Sequence, residues 1–324
     1  MTNILTAVQR YTDMVKLSRS YNTFITYRKA MEHFLAVAEA HHVDTAKAGT
    51  RELSEDAVTW MIKSLQHHAP SSERLYLTAL TGFFEYLAAE NITGVNLQKV
   101  RLLIKQRARK PGIRLPQFPK DAITTLLEQL EVFPVNDALV DNDKLRIMRD
   151  KAFLITLGET GLRVHEACRL RRGDMDWNEG HAIVVGKGDR EAVVRFSRRA
   201  QIALQNYLKL RAHHDQKSGK NIGSLPVFAR HDKGAGSKVK PITTTTGRNI
   251  VADWVEKILG QDAVGTITPH SFRHYFVTRV LQASGNLKLS QELARHKNIA
   301  VTQRYAHLSD NELDKGYWEV FEKE

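Results

Sequence analysis

Cysteine is almost absent: Cys168 is the single thiol in 324 residues. That excludes an internal disulfide and a cysteine-rich zinc module. Long apolar runs are missing too. No stretch approaches the roughly eighteen residues that a membrane-spanning helix needs, and the opening MTNILTAVQRYTD lacks a signal-peptide pattern. Acidic residues are outnumbered, 36 Asp and Glu against 48 Lys and Arg, for a net charge of +12. Disorder is excluded, because 42% of the residues are hydrophobic and can bury real cores. The length suits about two domains. The expectation is a soluble, cytoplasmic protein with no membrane partner and an anionic ligand, nucleic acid first.

The positive surplus is uneven. Residues 1–120 hold 17 basic and 10 acidic side chains, and residues 121–324 hold 31 and 26. Lys99, Arg101, Lys105, Arg107, Arg109, Lys110, Arg114 and Lys120 fall in one stretch without an acid, interrupted by Pro111, Gly112, Pro116 and Pro119. No continuous helix tolerates those prolines. The stretch reads as the end of a basic helix passing into an extended linker that straps a phosphate backbone. A charge run taken alone would be only a solvated face. The division is a helical domain over 1–108, a basic linker over 109–120 and a mixed domain over 121–324.

In the first domain, Tyr27, Met31, Phe34, Leu35 and Ala38 recur at helical spacing, as do Leu75, Leu77, Leu80, Phe84 and Leu87. Ser54 marks a helix start, and Pro70-Ser71-Ser72 a break before the next helix. In the second domain, 147–157 reads as a helix ended by Gly158, and another runs from about 162 to 170. Segments 175–177, 181–185 and 191–196 alternate as three short strands. Helices follow at about 198–213 and 246–259, and Thr268-Pro269 opens one to Ser284 that Gly285 caps. The basic segment 230–241 lacks the spacing of a phosphate loop and reads as a surface loop. The fold class is mainly α with a small antiparallel sheet.

Four places in the second domain carry more than packing. Gly161 turns the chain before Arg163, which opens a helix whose apolar face is Val164, Ala167, Cys168 and Leu170. An arginine at a positive helix end is a seat for a phosphate. Glu166 favours that helix end or orients Arg163 through a salt bridge. Lys187 sits between Gly186 and Gly188 at a hairpin tip, as an ordinary surface lysine or as a proton donor to a neighbouring site. His270 and Arg273 share a helix face. His270 and His274 also have the spacing of a metal pair. No glutamate follows His270 as in a zinc protease, so a metal is the weaker reading. Last come His296 and, nine residues on, Tyr305; a lone tyrosine near a chain end is usually packing.

These segments resemble the tyrosine recombinases of the phage-integrase type. ETGLRVHEACRL is similar to that family's first arginine box and VVGKGDREAVV to its lysine hairpin. TPHSFRHYFVT is similar to its His-x-x-Arg box, and LARHKNIAVTQRYAHLS to its terminal histidine and nucleophile segment. Any one box is weak, but four in the family's order over roughly residues 121–310 are specific. The resemblance implies a helical core-binding domain, then a mixed α+β catalytic domain, the two forming a C-shaped clamp. It implies DNA cleavage and rejoining without cofactor or metal. Tyr305 would be the nucleophile, Arg163 and Arg273 the phosphate clamp and Lys187 the general acid. His270 and His296 would handle protons or hydrogen bonds, with Glu166 in support. The implied partners are double-stranded DNA with specific recombination sites and further copies of the chain in a tetramer, with accessory DNA-bending proteins left open. The last helix, with Leu313, Tyr317, Trp318 and Phe321, would dock on a neighbouring protomer. One departure is Arg295, where the family usually has glycine; it alters the local turn or adds a phosphate contact.

The chemistry is coherent on its own terms. In-line attack on a phosphodiester builds negative charge on the non-bridging oxygens, which a metal or fixed cations must stabilise. Two arginines without an acidic cluster point to guanidinium donors. Within the same chemistry a type IB topoisomerase or telomere resolvase is the alternative, though those usually carry longer or additional domains. A non-catalytic DNA-binding regulator would have no need of Tyr305, and a metal-dependent nuclease would lose cleavage in EDTA, whereas cleavage is expected to survive it.

Overall fold

A computed structural model of the chain describes residues 2–109, 119–135, 141–186, 191–232, 234 and 238–303. The chain divides into two compact units, Met1–Ile113 and Arg114–Glu324. The architecture is mainly α with one small antiparallel sheet, as expected. No helix among the described residues is long and apolar enough to cross a membrane.

The first unit holds α1 (Ile4–Ser18), α2 (Tyr21–Ala40), α3 (Asp56–Ser64), α4 (Pro70–Ala89) and α5 (Leu97–Arg107). Asn3, Ser20 and Asn96 cap α1, α2 and α5, their side chains accepting first-turn N–H groups that the helix leaves unpaired. Pro70 corrects the expected break. It is the first residue of α4, where a missing N–H is no loss and the ring presets φ for the helix. Tyr11, Met31, Phe34, Phe83 and Phe84 make the core. A side chain at Gly82 would come within 2.4 Å of the Tyr11 hydroxyl, and that hydroxyl donates to the Ala79 carbonyl at 3.0 Å.

The second unit opens with α6 (Lys120–Val132) and α7 (Asp141–Thr160), followed by α8 (Val164–Arg169). Here Gly158 does not end a helix; α7 continues through it. A Cβ there would stand 2.8 Å from Leu127 Cδ1 of α6. Close packing thus outweighs the roughly 1 kcal/mol helical penalty of glycine. The chain turns instead at Gly161, where φ is +60°.

Strands β1 (Met175–Asp176), β2 (His181–Val185) and β3 (Glu191–Arg195) follow. They pair antiparallel in sequence order, Met175 opposite Ala182 and Val185 opposite Glu191. The first strand stops short of Trp177 because the Asp176 carboxylate accepts the N–H groups of Asn178 and Glu179, both at 3.0 Å, which starts the turn.

Helices α9 (Arg198–Lys217), α10 (Thr244–Leu259), α11 (Pro269–Ser284), α12 (Leu287–Ala294) and α13 (Ile299–Gln303) follow among the described residues. A buried polar network outlasts the expected end of α9. Arg211, with no exposed surface, donates to Asp215 Oδ1 and to the carbonyls of Pro226 and Val227, each at 2.8 Å. Tyr207 meets His231 Nε2 at 2.8 Å.

Candidate active site

Two glycines bring α8 to its place. A Cβ on Gly161 would lie 2.4 Å from Phe276 Cδ1 of α11, and one on Gly247 of α10 would lie 2.9 Å from Val164 Cγ2. Glycine is therefore required on both sides of Arg163: at Gly161 by space and by positive φ, at Gly247 by space.

Arg163 stands at the N-cap of α8 with its side chain 42% exposed. Glu166, 1% exposed, accepts from the Arg163 backbone N–H at 3.0 Å and from Arg163 Nη1 at 2.9 Å. The expected salt bridge and the expected helix-end role coincide in one carboxylate. Burial alone would raise the Glu166 pKa, but Arg295 and Arg163 hold it below the ordinary carboxylate range.

Arg273 is buried on α11. Its Nη1 donates to the Gly161 carbonyl at 2.5 Å and its Nη2 to the Ala294 carbonyl, so one guanidinium spans the Arg163 turn and the turn before His296. A cleft of about 570 Å³ is lined by Arg163, His165, Arg248, Thr268, His270 and Arg273 among others. Arg163, His270 and Arg273, singled out from sequence, therefore share one cavity.

The imidazoles are held neutral. Burial, then Arg273 and Arg163, lower the His270 pKa, and the same causes bring His296 down to about 4. His296 Nδ1 lies 2.9 Å from the hydroxyl of buried Thr302, which occupies that nitrogen and leaves Nε2 for chemistry. His270 and His274 stack edge-on at 4.3 Å. Burial pushes the Cys168 thiol up to about 12, so it stays protonated and is no nucleophile.

Lys187, Tyr305, Lys110, Arg114 and the segment 311–324 lie outside the described residues. The hairpin is described to Gly186 and from Glu191, and α13 ends at Gln303.

The remaining linker cations are placed unevenly. Lys99 pairs with Glu55 at 3.3 Å and Arg101 with Glu85 at 2.5 Å. Arg107 donates to Thr59 at 2.8 Å, Lys105 is exposed, and Lys120 begins α6. Arg109 is held within the first unit. Its Nε is 2.6 Å from buried Glu73, and its Nη2 reaches the Leu65 and His68 carbonyls.

Sequence reasoning missed Thr302 and Arg248. Thr302 had no signal beyond its place between His296 and Tyr305. Arg248 had none either, because the packing of its neighbour Gly247 against Val164 is a tertiary contact.

Arg163, Arg273 and His270 thus line one cleft in a unit of helices with a three-stranded sheet, and the matching family is one of DNA-breaking and rejoining enzymes, the tyrosine recombinases. The sequence model of the phage integrase family matches residues 127–312, and the chain belongs to that family. It is accordingly an enzyme that cleaves and rejoins DNA. The tyrosine recombinase XerC of Bacillus pumilus is 29% identical to it over 98% of this chain and 96% of that protein. XerC of Treponema denticola is 31% identical, covering 77% of each. In fold it is similar to the XerH site-specific recombinase bound to palindromic difH substrate in a post-cleavage complex. That likeness has a TM-score of 0.66 at 18% identity, covering 93% of this chain and 80% of the other.

Proposed function

We propose that the chain recombines DNA at specific sites through a 3′-phosphotyrosine intermediate on Tyr305, in a tetramer holding two duplexes, in the cytoplasm. Residues 1–108 serve as the core-binding domain, 109–120 as the linker and 121–324 as the catalytic domain. The observation that carries this reading is the shared cleft of Arg163, His270 and Arg273.

Tyr305 Oη attacks phosphorus in line and the P–O5′ bond breaks. The two guanidinium groups take up the charge that grows on the non-bridging oxygens, a role a metal would otherwise fill. Each such donor contributes about 3–4 kcal/mol of barrier lowering. A phenol with a pKa of about 10 needs help to ionise. Positive charge from the two guanidinium groups favours the phenolate, and His296, held neutral by burial and by Arg273 and Arg163, offers a ring nitrogen to hydrogen-bond it. His270 hydrogen-bonds the phosphate, and Lys187 protonates the 5′ oxygen, a poor leaving group without it. The tyrosyl ester keeps the energy of the cleaved bond, so a second strand's 5′-hydroxyl reverses the step without ATP.

The test is Tyr305→Phe on a nicked suicide duplex in EDTA. The unsubstituted chain forms a covalent adduct and the variant binds equally but forms none. An adduct from the variant places the nucleophile elsewhere, and loss of the parent's adduct in EDTA overturns the metal-free mechanism.

A further inference from the structure

Arg295 occupies its turn at a disadvantage. Its φ of 56° and ψ of 43° lie in the left-handed region, which disfavours any residue with a Cβ and which a helix end normally fills with glycine. Its side chain is 13% exposed, and its buried Nε has no acceptor among the described residues. Capping α12 accounts for none of this, since glycine would cap it with less strain.

The guanidinium reaches back across 129 residues to donate from Nη2 to Glu166 Oε2 at 3.0 Å. Glu166 already holds Arg163 through Oε1. One buried carboxylate is thus shared by two arginines. A pair of Arg163 and Glu166 alone sums to zero charge and would mute Arg163 toward an anion; with Arg295 the three sum to +1. The same turn supplies the Ala294 carbonyl to Arg273 and carries His296. Of the three arginines that line the cleft, Arg163 and Arg273 are therefore tied to the residue at 295 or its neighbour.

We infer that Arg295 is a positioning residue for strand cleavage: by sharing Glu166 it keeps the Arg163 cluster cationic and fixes the His296 turn against it. The inference rests on the recombinase reading, and it goes beyond a local change of turn or a direct phosphate contact. Without Arg295, Glu166 belongs to Arg163 alone and holds it in a neutral pair. Removing the carboxylate's charge in that background should then release Arg163 again.

The experiment uses the full chain and a nicked suicide duplex bearing the sequence that the chain selects from a random pool. It reads affinity and the first-order rate of adduct formation separately. Arg295→Gly suits the backbone angle and keeps the fold. Its expected rate falls about tenfold or more, a coupling of ordinary size for residues sharing one network, while affinity stays within about threefold. Arg295→Lys, which retains the charge, lies between. Adding Glu166→Gln to Arg295→Gly recovers part of the rate, a rescue that a purely structural role would not produce. A parental rate in Arg295→Gly, a loss confined to affinity, or a double variant slower than the single overturns the inference. A parent chain that forms no adduct on the same duplex overturns the recombinase reading instead.

Discussion

The two units handle charge in opposite ways. Among the described residues, Glu73 is the one charged side chain buried in the first unit, whereas the second buries Arg149, Glu166, Arg211, Asp215 and Arg273. In the first unit Lys99 and Arg101 pair with carboxylates at the surface, over a core of aromatic and aliphatic side chains. Under the proposed function the first unit only holds a polyanion, and it can then keep its cations in water, where they attract phosphates at long range. A unit that stabilises a transition state needs them partly desolvated, because Coulomb energies grow as the local dielectric falls. The same desolvation makes such charges unfavourable to leave unpaired.

Breaking the contrast most severely means removing Arg211. Arg211→Met leaves two buried carbonyls and part of Asp215 without their donor, and the second unit should lose about 3–5 kcal/mol. Urea unfolding followed by amide exchange with mass spectrometry resolves the units; an unchanged second unit would mean that its buried charges hold nothing together.

A smaller effect comes from acid. Burial, then Arg149 and Arg211, push the His231 pKa down to about 3, and burial first also brings His274 and His296 to about 4. Unfolded histidine titrates near 6.5, so below that pH the unfolded chain binds more protons. The stabilisation is complete above about pH 6.5 and is lost as the pH falls toward the folded values. Melting between pH 7 and 5 should lower the second unit more than the first, and His231→Gln should flatten that slope. Equal slopes in the two units would erase the distinction.

The smallest change sharpens it. Arg101 is 60% exposed opposite Glu85, so Arg101→Gln should alter stability by less than about 1 kcal/mol. Its slope of log affinity against log salt should nevertheless drop by about 0.9, the signature of one lost phosphate contact. An unchanged slope would leave Arg101 as a partner of Glu85 only.

Most helices and all three strands were legible, because periodicity and capping are local. The misreadings were local rules outweighed by distant neighbours. Gly158 looks like a helix end until Leu127 is packed on it. Pro70 was a misjudged boundary, since a break signal and a first-turn signal use the same residue.

By itself the sequence determined the family boxes, their order and the residue types that can hold a phosphate. Side-chain chemistry and backbone propensity travel with each residue, so these survive without a fold. Only the tertiary structure decided that Glu166 serves two arginines, that Arg273 joins two turns and that His296 rests on Thr302. The decisive contacts join segments far apart in the chain, Arg295 to Glu166 across 129 residues and Arg273 to Gly161 across 112, and such separations carry no information about distance in space.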